Sequence, residues 1–187
     1  MKKAGKAIRV FMVAFLVLIQ LVLLFITLKE NVEADNLAAV GLIALIMVTI
    51  LCGGRYIDWH HKEYTYEKIA VAVWIPVGAV MCYALNSYVG LGSVLSAGIV
   101  GTVASFLPEI NRKSAYLKKM PPAIYCGAFI GMSSMAVAPS IGFILAASAL
   151  SGVIYILSKN LFLGMGGKLG TMAFGGVILV SLINWLV

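Results

Sequence analysis

The stretches NSYVGLGSVL (Asn86–Leu95) and NLFLGMGGKL (Asn160–Leu169) resemble each other at a constant offset of 74 residues. Over the 24 compared positions of 78–101 and 152–175, six residues are identical, and four of these are glycines. An internal duplication predicts a transporter-like architecture, whereas glycine-rich packing helices without common origin are the alternative. The identical pairs are Gly78/Gly152, Asn86/Asn160, Gly90/Gly164, Gly92/Gly166, Leu95/Leu169 and Gly101/Gly175.

The composition around these motifs predicts an integral membrane protein. Hydrophobic residues make up 62% of the chain and charged residues 11%, with a mean hydropathy of +1.04. No polar block is long enough to fold alone, so we expect one polytopic domain over 1–187 with the lipid bilayer as its environment. Cys52, Cys82 and Cys126 lie apart without CxxC spacing, which predicts no metal or redox site.

A transmembrane helix needs about 20 apolar residues, and fewer where helices are broken. The first run is too long for a typical signal-peptide core, although a cleaved signal is the alternative there. The stretch 122–157 is divided at Pro139, with one long kinked helix as the alternative. The sequence therefore predicts a bundle of about seven helices (six or seven) at 9–28, 37–53, 69–88, 91–108, 122–138, 140–157 and 169–187.

The basic residues predict the orientation of these helices. With the N-terminus inside, only Lys29 of the fourteen Lys and Arg residues lies outside, which indicates a cytoplasmic N-terminus in a bacterial-type inner membrane. Topology and the anionic inner leaflet explain the net charge of +7, so no nucleic-acid partner is expected. The inside residues are Lys2, Lys3, Lys6, Arg9, Arg55, Lys62, Lys68, Arg112, Lys113, Lys118, Lys119, Lys159 and Lys168.

This orientation makes the two matched regions run in opposite directions. A first repeat at 37–108 and a second at 122–187 then form a three-plus-three inverted repeat, preceded by an extra helix and external loop at 1–36. Secondary transporters commonly build a solute site between inverted halves of this kind.

The glycine motifs open the fourth and seventh segments. Glycine permits backbone conformations closed to other residues, and a helix that begins there offers unpaired N–H groups to an anion or a carbonyl dipole. A turn with close helix packing is the alternative. The candidate residues are Gly90, Gly92, Ser93, Gly164, Gly166 and Gly167.

Neutral polar side chains complete the predicted pathway. Asn86 and Asn160 precede the glycines by four residues in both halves, and Ser133 and Ser134 follow a GxxxG pattern in the fifth segment. These side chains could contact a solute, cap a helix or hydrogen-bond across the bundle. Pro76 predicts a kink in the third segment.

No Asp, Glu, His, Arg or Lys lies near the middle of any segment, which argues against a carboxylate proton relay and against an enzyme. We expect no catalytic residue, metal or cofactor. His60 and His61 lie in an aromatic-rich loop and form only a weak metal pattern. A membrane enzyme would have to use Asp58–Glu63 or Glu109–Lys119.

The sequence thus predicts a small transporter or channel for a small neutral or anionic solute or ion. The alternatives are an accessory or substrate-capturing subunit of a membrane complex and, third, an enzyme that acts on a lipid-borne substrate. We also predict a homodimer that packs through small residues, at Gly127 and Gly131 or at Gly98 and Gly101.

Overall fold

A computed structural model describes residues 2–53, 66–158 and 167–186, and within these ranges the chain is helical and has no β-strand. The first two helices form one compact unit and the others form a second. The α-helices are α1 (Lys2–Glu33), α2 (Leu37–Gly53), α3 (Ile69–Ala72), α4 (Trp74–Tyr83), α5 (Ser93–Ser105), α6 (Leu107–Ile110), α7 (Met120–Gly131), α8 (Ile141–Leu157) and α9 (Lys168–Leu186).

In the first unit, a tight turn joins α1 to α2. Asp35 has a positive φ of 52°, and the side-chain oxygen of Asn36 accepts a hydrogen bond from the Ala39 backbone N–H at 3.2 Å. Asn36 therefore caps α2, because an N-cap amide satisfies one of the unpaired donors of the first turn.

Three helical stretches of the described chain are long and apolar enough to cross a membrane, namely Ile69–Tyr88, Ser93–Ile110 and Lys168–Leu186. The predicted bundle of seven spans is not confirmed. The fifth segment in particular yields only the 12-residue α7, which is well short of the length that a span needs. The division between the fifth and sixth segments is confirmed, because α7 ends at Gly131 and α8 begins at Ile141.

The third segment is interrupted near Pro76, as predicted. α3 ends at Ala72 and α4 begins at Trp74, so the break lies one turn before the proline. Proline has no N–H to bond the carbonyl four residues earlier, which here belongs to Ala72. After Tyr83 the helix widens into a π-helical turn at Ala84–Tyr88.

In the second unit, α7 packs against α4, α5, α8 and α9. Ile75 of α4, Ile130 of α7, Ile144 of α8 and Met172 of α9 are fully buried. α4 and α8 run antiparallel, because one end is joined by a Glu67 N–H to Ile156 carbonyl bond and the other by the Tyr83 hydroxyl to Ala138 carbonyl bond. This direction suits inverted halves, while the duplication itself stays a prediction.

The glycines of α7 are occupied within the chain. An added Cβ at Gly127 would overlap the Ile75 carbonyl oxygen, and one at Gly131 would overlap the Ala79 carbonyl oxygen. These two residues are therefore not free to form the predicted dimer face. The sequence pattern is correct for close packing, but it does not identify α4 as the partner helix.

The two glycines of the other predicted dimer pair have different surroundings. Gly101 faces the ring of Tyr125, whereas Gly98 has open space beside it.

Candidate functional site

The end of α4 lies against an interruption of the helical backbone. Residues 132–140, between α7 and α8, do not form a helix. Asn86, in the π-helical turn, donates from its side-chain nitrogen to the carbonyls of Gly131 and Ser133, both at 3.4 Å. The last carbonyls of a helix have no partner within it, so Asn86 supplies a donor where α7 stops.

Tyr83 fixes the other end of the same interruption. Tyr83 is 1% exposed, and its hydroxyl donates to the Ala138 carbonyl at 2.9 Å. Ser134 accepts backbone bonds from Val137 and Ala138, and Ser140 caps α8 by accepting the Phe143 N–H at 3.2 Å. We call this region the neutral end, defined as residues 83–93 and 131–140, because no residue in it carries a charge.

The first glycine motif also belongs to the neutral end. Gly90 and Gly92 have φ angles of +76° and +83°, and nothing lies within 4 Å of where their Cβ atoms would be. Their role is therefore conformational, since positive φ is closed to most residues with a side chain. Gly92 directly precedes α5, which begins at Ser93 as the motif predicts.

The second motif is described only from Gly167 onward; Asn160, Gly164 and Gly166 lie outside the described residues. Gly167 has a φ of +80° and directly precedes α9. The Ser96 hydroxyl bonds the Gly92 carbonyl at 2.7 Å, and the Thr171 hydroxyl bonds the Gly167 carbonyl at 3.1 Å. The two helix starts thus correspond at 167 − 92 = 75 residues, one more than the offset that pairs Gly92 with Gly166.

The structure brings together Asn86 and Ser133, which the sequence singled out separately. Ser133 is half-buried, whereas Ser134, Gly90 and Gly92 are exposed. Gly167 precedes α9, whose first turn lies beside Cys126 of α7, with the Cys126 sulfur donating to the Leu169 carbonyl at 3.5 Å. The predicted residues therefore do not form one site in the described part of the chain.

Sequence reasoning missed two polar groups. Tyr83 was not singled out, although a phenol inside an apolar segment needs an acceptor and could have drawn attention. Glu67 was also missed, although it is a carboxylate next to the start of an apolar segment. His60, His61 and the loop Asp58–Glu63 lie outside the described residues, and no cluster of potential metal ligands occurs among those that are described.

The chain matches no family model, no curated protein and no solved structure.

Proposed function

We propose that this chain is a small membrane transporter or channel that moves a small neutral or anionic solute or ion. The observation that carries the proposal is the non-helical backbone of residues 132–140 beside the π-helical turn of α4. The proposal places this stretch at membrane depth, where non-helical backbone is tolerated only if protein buries it or if it lines a water-filled cavity. π-helical turns also occur frequently at functional sites.

The chemistry of the neutral end suits such a solute. Its polar groups are backbone carbonyls and N–H groups, the amide of Asn86, and serine and tyrosine hydroxyls that include those of Ser133 and Ser134. A divalent cation prefers carboxylate oxygens, and none is present in this region. Neutral dipoles and helix starts instead favour an uncharged or anionic solute.

The distribution of charge supports the proposed orientation. In the described part of the second unit, the charged residues lie before α3, between α5 and α7, or at the start of α9. Glu67 contacts Lys119 and also bonds the end of α8, so these segments meet at one end of the unit, here called the charged end. We assign it to the cytoplasm of a bacterial-type cell, with an internal N-terminus and several crossings.

The proposal is tested by flux into proteoliposomes. Swelling in urea or glycerol gradients follows neutral solutes, and an internal anion-quenched dye follows chloride and nitrate. We expect the unmodified protein to carry at least one of these faster than protein-free vesicles do. Asn86→Ala should lower that flux about tenfold, because the Gly131 and Ser133 carbonyls lose their donor and the interruption shifts.

Asn111→Ala is the matched control. Asn111 lies in an exposed loop of the charged end, where its side chain accepts only the Lys113 N–H among the bonds described for it, so the variant should retain full flux. Full flux through a folded Asn86→Ala variant would mean that the neutral end is not part of the pathway. No flux of any probe would favour an accessory subunit, and co-purification of a stable partner protein would then be expected.

We also propose that the protein is a homodimer. Gly127 and Gly131 pack against α4 and are not available for the dimer contact. Of the second predicted pair, Gly98 lies on the exposed face of α5 and has open space beside it. A mass measurement in mild detergent tests this proposal directly.

A further inference from the structure

Glu67 is a nearly buried carboxylate at the charged end. Its side chain is 8% exposed, and its Oε1 atom lies 3.1 Å from the Lys119 ammonium nitrogen. The same oxygen accepts the Lys68 backbone N–H at 3.2 Å. A carboxylate that is withdrawn from water in this way needs both charge and hydrogen-bond partners, and here they come from different parts of the chain.

The contacts of Glu67 join the ends of four helices. Glu67 itself precedes α3, and Lys119 directly precedes α7. The Glu67 backbone N–H bonds the Ile156 carbonyl near the end of α8 at 3.2 Å. Lys168, the first residue of α9, and Tyr155 of α8 both lie close enough to interact electrostatically with Glu67.

Two features of this cluster bear on how it could open. The Lys119 side chain is 41% exposed, so water can replace Glu67 as its partner. Lys168 follows Gly167, whose positive φ sets the direction from which the chain enters α9. The side chain of Lys168, at the start of α9, interacts electrostatically with Glu67. The backbone that enters α9 has a conformation at Gly167 that is closed to most other residues.

We propose that Glu67 is the gating residue of the charged end: its interactions with Lys119 and Lys168 keep the start of α9 against α7, and their release opens this end of the pathway. The inference rests on the proposed function. The neutral end and Glu67 lie at opposite ends of the Ile69–Tyr88 span, and a carrier needs a closure on the side away from its open face.

The chain contains a reporter for this movement. Cys126 of α7 is fully buried, and its sulfur donates to the Leu169 carbonyl in the first turn of α9 at 3.5 Å. Displacement of the start of α9 would uncover this thiol. Cys82 of α4 is also fully buried, but it packs in a cluster with α5 and α7 residues such as Val100 and Ile124.

The experiment measures thiol modification in lipid nanodiscs, where a water-soluble maleimide reaches both faces. Cys126 is kept as the only thiol by Cys52→Ala and Cys82→Ala, and modification is followed by mass spectrometry. We expect slow reaction with Glu67 present and a rate at least about tenfold higher in Glu67→Gln, because the neutral amide no longer attracts the two lysines. Glu67→Asp should give an intermediate rate.

Two controls separate gating from general loosening. Glu109→Gln removes a carboxylate of the same end that pairs with exposed Arg112, and it should leave the Cys126 rate unchanged. In a second background, Cys82 is the only thiol, and its rate should not respond to Glu67→Gln. The inference is overturned if Cys126 does not respond, or if Cys126 and Cys82 accelerate together.

The thiol assay requires no transported solute, so it fails or succeeds independently of the flux measurement. If the unmodified protein transports a solute but Cys126 does not respond to Glu67→Gln, the proposed transport function stands and the proposed gating role of Glu67 is wrong. If Cys126 responds but the protein transports none of the solutes, the charged end moves as proposed and the proposed transport function is wrong.

Discussion

Two helix crossings in the second unit achieve close contact in different ways. Where α4 crosses α7, glycines on both helices face backbone: Gly78 meets the Ile124 carbonyl, and Gly127 meets that of Ile75. Where α8 crosses α9, Gly176 meets the Ala147 carbonyl and the Ser151 side chain. The Ser151 hydroxyl also donates to the Met172 carbonyl at 3.1 Å.

The α4/α7 crossing is the one that sets the geometry of the candidate site. At the α4/α7 crossing no room remains for a Cβ, so the helices have one close arrangement. Gly131, the last residue of that contact, is also an acceptor of the Asn86 side chain. At the α8/α9 crossing Gly176 also has no room for a Cβ, but a side-chain hydrogen bond contributes to the contact as well, and a hydroxyl can adjust to small displacements.

The largest expected effect on stability is at the α4/α7 crossing. Gly127→Ala adds a Cβ that overlaps the Ile75 carbonyl, so the helices must separate, and we expect a loss of about 2–3 kcal/mol. Gly152→Ala adds the same atom within α8, where nothing lies within 4 Å, and it should instead gain about 0.5–1 kcal/mol, since alanine favours helix over glycine. Unfolding in mixed detergent micelles measures both.

Equal unfolding midpoints for these two alanine variants would contradict the close crossing of α4 and α7. The close crossing also affects how a dimer experiment is interpreted, because a change at Gly127 or Gly131 perturbs the fold of the single chain. A loss of dimer after Gly131→Leu would therefore not identify a dimer face.

A smaller effect is expected at the α8/α9 crossing. Ser151→Ala removes an interhelical hydrogen bond, and such bonds within membranes contribute about 0.6 kcal/mol on average. Ser148→Ala is the matched control on the same helix, because its equally buried hydroxyl bonds the Leu145 carbonyl within α8. If the Ser148 variant loses as much stability as the Ser151 variant, the interhelical hydrogen bond of the Ser151 hydroxyl does not stabilise this crossing.

Helix positions are largely predictable from the hydrophobic pattern. The second and third segments, 37–53 and 69–88, coincide with α2 and with the Ile69–Tyr88 span. Pro76 and Pro139 each predict an interruption that occurs near them. These features depend on local chemistry, namely apolar side chains and a missing N–H group, so one sequence suffices to find them.

The fifth segment illustrates what the pattern does not contain. Hydropathy extends it to Ala138, yet α7 ends at Gly131, because Asn86 and Tyr83 from a distant helix satisfy the carbonyls of the interruption. The partner of Gly127 is unpredictable for the same reason, since GxxxG indicates a close contact without naming the facing helix. Glu67 was overlooked because its burial depends on Lys119, 52 residues later in the chain.

In the proposed function, the interruption at residues 132–140 lines an aqueous pathway. The direct test is the reactivity of Ser133→Cys toward a small charged methanethiosulfonate, in a membrane-embedded protein whose three native cysteines are replaced by alanine. Ile99→Cys is the control, because Ile99 is an apolar residue that is 38% exposed near the middle of α5, outside the neutral end. We predict that Ser133→Cys reacts at least about tenfold faster, since charged reagents reach thiols in water and not in hydrocarbon. Equal, slow rates for the two positions would mean that the interruption is buried in protein or lipid and would contradict the pathway.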